Sequence, residues 1–322
     1  MSARHVLVAD WFASDFEIER PRLEARGITW SMPGWKPPPP PRDEQIRQLL
    51  ARVQQAERID GVLFSLAPLP KEVINALPAT CRHLQRVGIG LDAVDLDAAT
   101  ARGMTVDNTP DYATEEVAVH AMGMLLALHR QLAATQTVLL GGQWRFQPPE
   151  PIERLSTLTL GLVGLGRIGR TFAEGMRPLV KRILYADPVV NTPPPGLEAA
   201  PLETVLREAD LISLHCPLLT QTRGLIDARA LQLVKPTAIL LNVSRGALID
   251  ADAVAEAVRE RRLAGIGVDV YEPEVLPSDS PLRALGDRAI LTSHTAWYSK
   301  QSVVDCRTQA IEKLIARLKQ AT

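Results

Sequence analysis

The stretch TLGLVGLGRIGRTFAEGM (159–176) limits the fold more than any other part of this chain. An apolar run ends in Gly164-x-Gly166-x-x-Gly169, and a helical pattern opens at once. A G-x-G-x-x-G match alone is weak, but a strand before it and a helix after it give each glycine a task. Gly164 permits the tight turn, Gly166 lets the backbone approach a pyrophosphate, and Gly169 lets the helix pack closely on the strand. The amides of Arg167 and Ile168 then point at the phosphates from the positive end of the helix. A second strand, RILYAD, ends in Asp187, 18 residues after Gly169. An acid there accepts the adenosine ribose hydroxyls and repels a 2′-phosphate, which favours NAD over NADP. The competing reading is a close-packed strand–helix turn without a ligand, and the acid in its expected place weighs against it.

The same rhythm of strand and helix runs along the whole chain and predicts an α/β fold with parallel sheets. Residues 1–108 offer the strands HVLVADW, GVLFSL and LQRVGIG among helical patterns, and 158–292 offer TLGLVG, RILYAD, LISLHC, AILLNV, GIGVDV and AILTSH. Most are continuous apolar runs, as strands buried on both faces should be. Between the series, residues 114–139 read as one long helix, apolar on nearly every face and therefore a buried connector. Its histidines, His120 and His129, read as packing residues. WRFQPPEPIERL follows as a proline-rich linker, and residues 299–320 as an amphipathic closing helix with no tail after it. Five prolines at 37–41 read as a stiff loop feeding the next helix, with a partner ligand as the alternative.

Composition narrows the function. Of the 322 residues 46% are hydrophobic and the formal net charge is −1, so there is no electrostatic footprint for nucleic acid. The basic clusters at 181–182 and 259–262 are short and read as solvated helix faces. No apolar run approaches the ~20 residues of a membrane span, and the N-terminus lacks the pattern of a signal peptide. Three cysteines, Cys81, Cys216 and Cys306, without CxxC spacing, fit a reducing cytoplasm better than a disulfide framework or a zinc site.

Taken in order, GIGLDAVDLDAATARGMTVDNTP (88–110), GLVGLGRIGR (161–170), LHCPLLTQTRGLI (214–226), LLNVSRGALIDADA (240–253), GVDVYEPE (267–274) and SHTAWYS (293–299) resemble the D-isomer-specific 2-hydroxyacid dehydrogenases. The resemblance covers nearly the whole chain and is weakest over 12–60. HTAWYS is most similar to the C-terminal-binding-protein branch and its phosphoglycerate-dehydrogenase-like bacterial relatives. The resemblance implies two doubly wound Rossmann-like domains with a cleft between them. The outer, flavodoxin-like substrate domain would take 1–108 and 293–322, and the inner NAD-binding domain 109–292. It also implies a homodimer joined through the NAD domains.

A 2-oxoacid reductase must hold a carboxylate, polarise a carbonyl and deliver a proton as hydride arrives at carbon. Arg245, in NVSRGAL, matches the family's catalytic arginine; its planar fork suits the first two needs. On its own, an arginine in a loop after a strand is an ordinary surface residue. His294 matches the proton donor, with an unperturbed pKa near ~6.5. Glu274, five residues after Asp269 and 20 before His294, matches the partner acid. A carboxylate on one imidazole nitrogen fixes the tautomer and favours the charged ring. Glu272 is a nearby competitor, and Val275 stands where the family has proline. By resemblance Asp269 contacts the nicotinamide carboxamide, although a plain turn acid fits the local sequence equally well. His215, Cys216 and Pro217 after one strand, with Val243 and Ser244 after the next, would border the cofactor.

The segment Gly88-Ile89-Gly90 should bind the substrate carboxylate through its amides, where glycine allows close approach. Arg86 matches a substrate-contacting arginine of the C-terminal-binding-protein branch, and Trp297 a pocket tryptophan, with hinge packing as its alternative. Leu66 and Trp297 together suggest an apolar or moderately bulky substrate side chain. No ligand cluster for a catalytic metal is apparent. The expectation is an NAD-dependent D-2-hydroxyacid dehydrogenase acting as a 2-oxoacid reductase. The second reading is an NAD(H)-sensing, corepressor-like binding protein. The absence of a tail and of an added regulatory domain leans towards the enzyme.

Overall fold

The computed structural model describes residues 3–13, 15–33 and 40–320. It forms two compact units, one from residues up to Tyr112 together with Ser299 onward, the other Ala113–Tyr298. These junctions lie four and six residues beyond the sequence boundaries at 108 and 292. The shift matters for one segment. Thr292 N–H donates to Val268 O and His294 N–H to Asp269 O, so residues 292–298, assigned by sequence largely to the outer domain, stay with the inner unit.

The first unit is a five-stranded parallel sheet. Its strands are β1 (His5–Val8), β2 (Thr29–Ser31), β3 (Gly61–Phe64), β4 (His83–Arg86) and β5 (Thr105–Asp107), in the order β2-β1-β3-β4-β5. Successive side chains alternate between two buried faces. Val6 and Val8 pack with Ile311, Leu314, Ile315 and Leu318 of the closing helix Lys300–Gln320. Leu7 joins Leu49, Val53, Val73 and Ile74 on the other face. Gly61 makes room for that helix: a Cβ there would stand 3.0 Å from a Leu314 methyl. The loop prolines at 37–39 lie outside the described residues, while Pro41 is extended and leads directly into the helix Arg42–Gln55.

The second unit carries seven parallel strands: β6 (Thr159–Val163), β7 (Arg182–Ala186), β8 (Glu198–Ala199), β9 (Leu211–Leu214), β10 (Ile239–Asn242), β11 (Gly265–Val268) and β12 (Ala289–Leu291). The order is β12-β11-β10-β9-β6-β7-β8, so the winding reverses between β6 and β9. Ligands of doubly wound sheets bind beyond the carboxyl ends of the strands at such a reversal, and Gly164 begins there.

The long connector divides. Thr114–His129 is helical and largely buried, then Gln131 takes φ +51° and a second helix, Leu132–Leu140, departs at 57°. The Gln131 side-chain amide pairs with both backbone groups of Glu150, at 2.9 and 3.1 Å, so the break is held from the linker. The second helix is not a buried connector: Leu132, Leu139 and Leu140 are exposed. Among the described residues no single helix is long and apolar enough to cross a membrane.

Candidate active site

The three glycines behave differently at the end of β6. A Cβ on Gly164, which sits at φ +95°, would lie 2.6 Å from Cys216 N, and one on Gly169 would lie 2.6 Å from Gly164 O. Both are pressed against backbone. A Cβ on Gly166 would meet nothing within 4 Å, so the middle glycine faces open space at the N-terminus of helix Arg167–Met176. A cradle closed on two sides and open on the third fits a pyrophosphate. Asp187, just past β7, receives Leu165 N–H at 2.7 Å and Val189 N–H at 2.8 Å. Its carboxylate therefore fixes the glycine turn. Among the described residues no group of three or more His, Cys, Asp and Glu side chains is placed to hold a metal ion.

His215 closes the back of the cradle. Its Nε2 pairs with Ser213 Oγ at 2.9 Å, its ring packs on Phe172, and Nδ1 is buried with no hydrogen-bond partner among the described residues. Burial lowers its pKa to about 4, so the ring is neutral. Burial also pushes the neighbouring Cys216 thiol up to about 11, which leaves it unreactive at neutral pH. Pro217 follows as a hydrogen-bond acceptor for Thr222 Oγ1.

Arg245, Asp269 and His294 leave the carboxyl ends of three neighbouring strands, β10, β11 and β12. The loop carrying Arg245 is set by Asn242, a fully buried residue that sequence reading overlooked. Its side chain takes Ser244 N–H and donates to Arg245 O at 2.8 Å. Ser244 Oγ donates to Leu214 O, and Val243 is buried beneath. Gly246 is obligatory: a Cβ there would lie 2.0 Å from the carbonyl carbon of Tyr271. No other residue lets the Arg245 loop pass that close to the next one.

His294 pairs through Nδ1 with Glu274 Oε1. Of the two acids considered from sequence, Glu274 is therefore the one that meets the imidazole. The expected strand stops at Leu291, and His294 lies on a turn at φ +54°, a left-handed conformation rare for a side-chain-bearing residue. Asp269 holds that turn. It is fully buried, accepts Thr295 N–H at 2.9 Å and Ala296 N–H at 3.0 Å, and also takes the Thr292 hydroxyl. Its carboxylate is thus engaged by the His294 turn, a role the sequence did not reveal. Trp297 follows, partly buried, with its ring edge-on to Tyr298.

In the first unit, Gly88 adopts φ +140° and its amide is already spent, donating to Thr109 Oγ1 at 2.7 Å. Of the three amides expected to bind a carboxylate, those of Ile89 and Gly90 donate to no acceptor among the described residues. Gly88 contributes space instead: a Cβ there would stand 3.0 Å from Nε of Arg86, whose guanidinium also lies over Phe64. Leu66, 57% exposed, sits on a loop that Asp10 pins by accepting Ser65 and Leu66 N–H, both at 2.6 Å. Asp10 and Thr109 are further residues without a sequence signal, because a lone buried acid or hydroxyl has no motif.

The sequence model described as "D-isomer specific 2-hydroxyacid dehydrogenase, NAD binding domain" matches residues 122–296. A glyoxylate reductase of Korarchaeum cryptofilum is 35% identical over 88% of this chain and 85% of that protein. A D-3-phosphoglycerate dehydrogenase of Mycobacterium leprae is 37% identical over 77% of this chain, which spans only 46% of that protein. The crystal structure of the TT0316 protein from Thermus thermophilus superimposes with a TM-score of 0.83 at 33% identity, covering 98% of this chain and 97% of the other. The glycine cradle, the acid after β7 and these likenesses lead to one conclusion: the chain belongs to the D-isomer-specific 2-hydroxyacid dehydrogenases, NAD-dependent oxidoreductases that act on CH–OH groups.

Proposed function

We propose that this protein reduces a small 2-oxoacid to the D-2-hydroxyacid, with His294 as proton donor, Glu274 as its partner and Arg245 as the carboxylate clamp. The observation that carries the reading is the His294–Glu274 pair on a turn tethered to Asp269, with only β11 between the strand before that turn and the strand before the Arg245 loop. NADH, when bound, supplies the hydride to C2. Arg245 draws charge from the carbonyl oxygen and grips the carboxylate, staying cationic throughout. The protonated His294 gives Nε2–H to the oxygen as the alkoxide develops, and Glu274 steadies the imidazolium through Nδ1. Asp187 serves the cofactor by selecting NAD over NADP, whereas Asp269, fully buried, acts by holding the His294 turn. The relatives that match most of both chains carry the name glyoxylate reductase, so glyoxylate and hydroxypyruvate head the candidates, ahead of bulkier apolar oxoacids.

The same reading includes a homodimer formed through the second unit. Leu140, Trp144 and Phe146 are 77%, 75% and 94% exposed and adjoin the exposed face of helix Leu132–Leu140, an apolar surface that water does not favour. Three free thiols suit a reducing compartment, and we place the enzyme in the cytoplasm.

The test is NADH consumption with a panel of 2-oxoacids, wild type beside His294→Ala. The variant is expected to lose ~100-fold or more of kcat while binding NADH as before. Loss of NADH binding with unchanged residual turnover would remove His294 from the chemistry. NADH-dependent assembly with no turnover on any acid would favour the corepressor-like role.

A further inference from the structure

The His294 turn has a third support from an element far away in sequence. His120, on helix Thr114–His129, places Nε2 3.0 Å from Thr292 Oγ1. Thr292 donates its single hydroxyl proton to Asp269 Oδ1, and His120 Nε2 itself stands 3.8 Å from the same oxygen. A hydroxyl that has given its proton to a carboxylate can only accept from its other neighbour. His120 is therefore the donor, through Nε2–H. The chain of donation runs from His120 to Thr292 to Asp269, whose carboxylate also takes the amides of Thr295 and Ala296 and whose carbonyl oxygen takes the amide of His294.

We infer that His120 is a positioning residue for the proton donor: it orients the Thr292 hydroxyl onto Asp269 and so holds the His294 turn in its left-handed conformation. This inference rests on the reading of His294 as the proton donor. The physical need is clear. A left-handed residue that is not glycine is strained and persists only when its surroundings over-determine it. A fully buried carboxylate must likewise keep its donors. Without His120 the Thr292 hydroxyl is free to rotate off Asp269, and the turn loses one of its supports. Tyr271 does not replace it, because its hydroxyl donates to the carbonyl oxygens of Val268 and Thr292 rather than to the carboxylate.

Two variants and a rescue test the inference on full-length protein. His120→Leu keeps helix propensity and volume but removes the donor; kcat should fall ~10-fold, with KM for the oxoacid and Kd for NADH within about twofold of wild type. His120→Gln carries an amide N–H in place of Nε2–H and should recover kcat to within about threefold of wild type. Thr292→Val deletes the middle of the chain and should lower kcat more than His120→Leu does. Wild-type kcat in His120→Leu overturns the inference, as does an equal loss in the Leu and Gln variants, which would mark a packing role. A loss confined to NADH affinity overturns it too. His294→Ala measured alongside separates the two levels: if that variant keeps turnover, the proton-donor reading has failed; if it is dead while His120→Leu is normal, only the positioning role has.

Discussion

His215 makes the fold sensitive to acid. Its ring is buried against Phe172, its Nδ1 has no partner among the described residues, and its pKa is lowered from about 6.5 to about 4 by burial. Below pH ~6.5 the unfolded chain takes up a proton that the native chain refuses, so stability falls as pH drops and the loss is complete near pH ~4. The full effect is about 3 kcal/mol. His215→Leu should remove this slope, read by urea unfolding at about pH 7 and about pH 4.5; equal slopes in variant and wild type would refute the assignment. Motif order marked Glu274 and His294 as candidates, and the structure pairs His294 with Glu274 rather than Glu272. Asn242, Asp10, Thr109 and the anchoring role of Asp269 were not legible. Asp10, Thr109 and Asp269 act by hydrogen bonds to backbone of distant segments, and Asn242 by bonds to the turn just after it; none of these leaves a periodic pattern.

At the scale of elements, the loop after β10 depends on one missing methyl group. Gly246→Ala would bring its Cβ to 2.0 Å from the Tyr271 carbonyl carbon, so the Arg245 loop or the Tyr271–Glu272 backbone must move. The variant should lose stability by ~2 kcal/mol or more and kcat/KM by ~100-fold, checked by thermal unfolding and steady-state kinetics. A folded Gly246→Ala enzyme with ordinary kcat/KM would show that Arg245 needs no such placement. The central strands were readable because apolar runs buried on both faces are their own signal. The short strands β2, β5 and β8 were not, having only three, three and two residues. The break at Gln131 was invisible for a different reason: helix propensity continues through it, and the side chain that holds the bend reaches to Glu150.

For the whole molecule, the exposed apolar arm from Leu132 to Phe146 carries the association prediction. Trp144→Glu combined with Phe146→Ser should shift the protein from dimer to monomer in sedimentation velocity, with each unit still folded by circular dichroism. A dimer that survives both changes would place the interface elsewhere. The two-unit organisation was readable from the repeated strand–helix series, while its second junction lies later than expected because Asp269 and the β11 backbone capture the segment after β12. That capture has a consequence for engineering. Arg245, Glu274, His294 and the glycine cradle all lie within 113–298, whereas Leu66, Arg86 and Gly88–Gly90 lie in the other unit. On the proposed reading the proton-transfer residues and the cofactor cradle are thus encoded in one continuous stretch of the gene, which can be varied without touching the codons of the other unit. Exchanging the 65–67 and 86–90 loops for those of a relative, with 113–298 kept intact, asks directly whether the first unit carries any of the acid preference, read as kcat/KM over the oxoacid panel, and gives laboratory evolution a short, defined target.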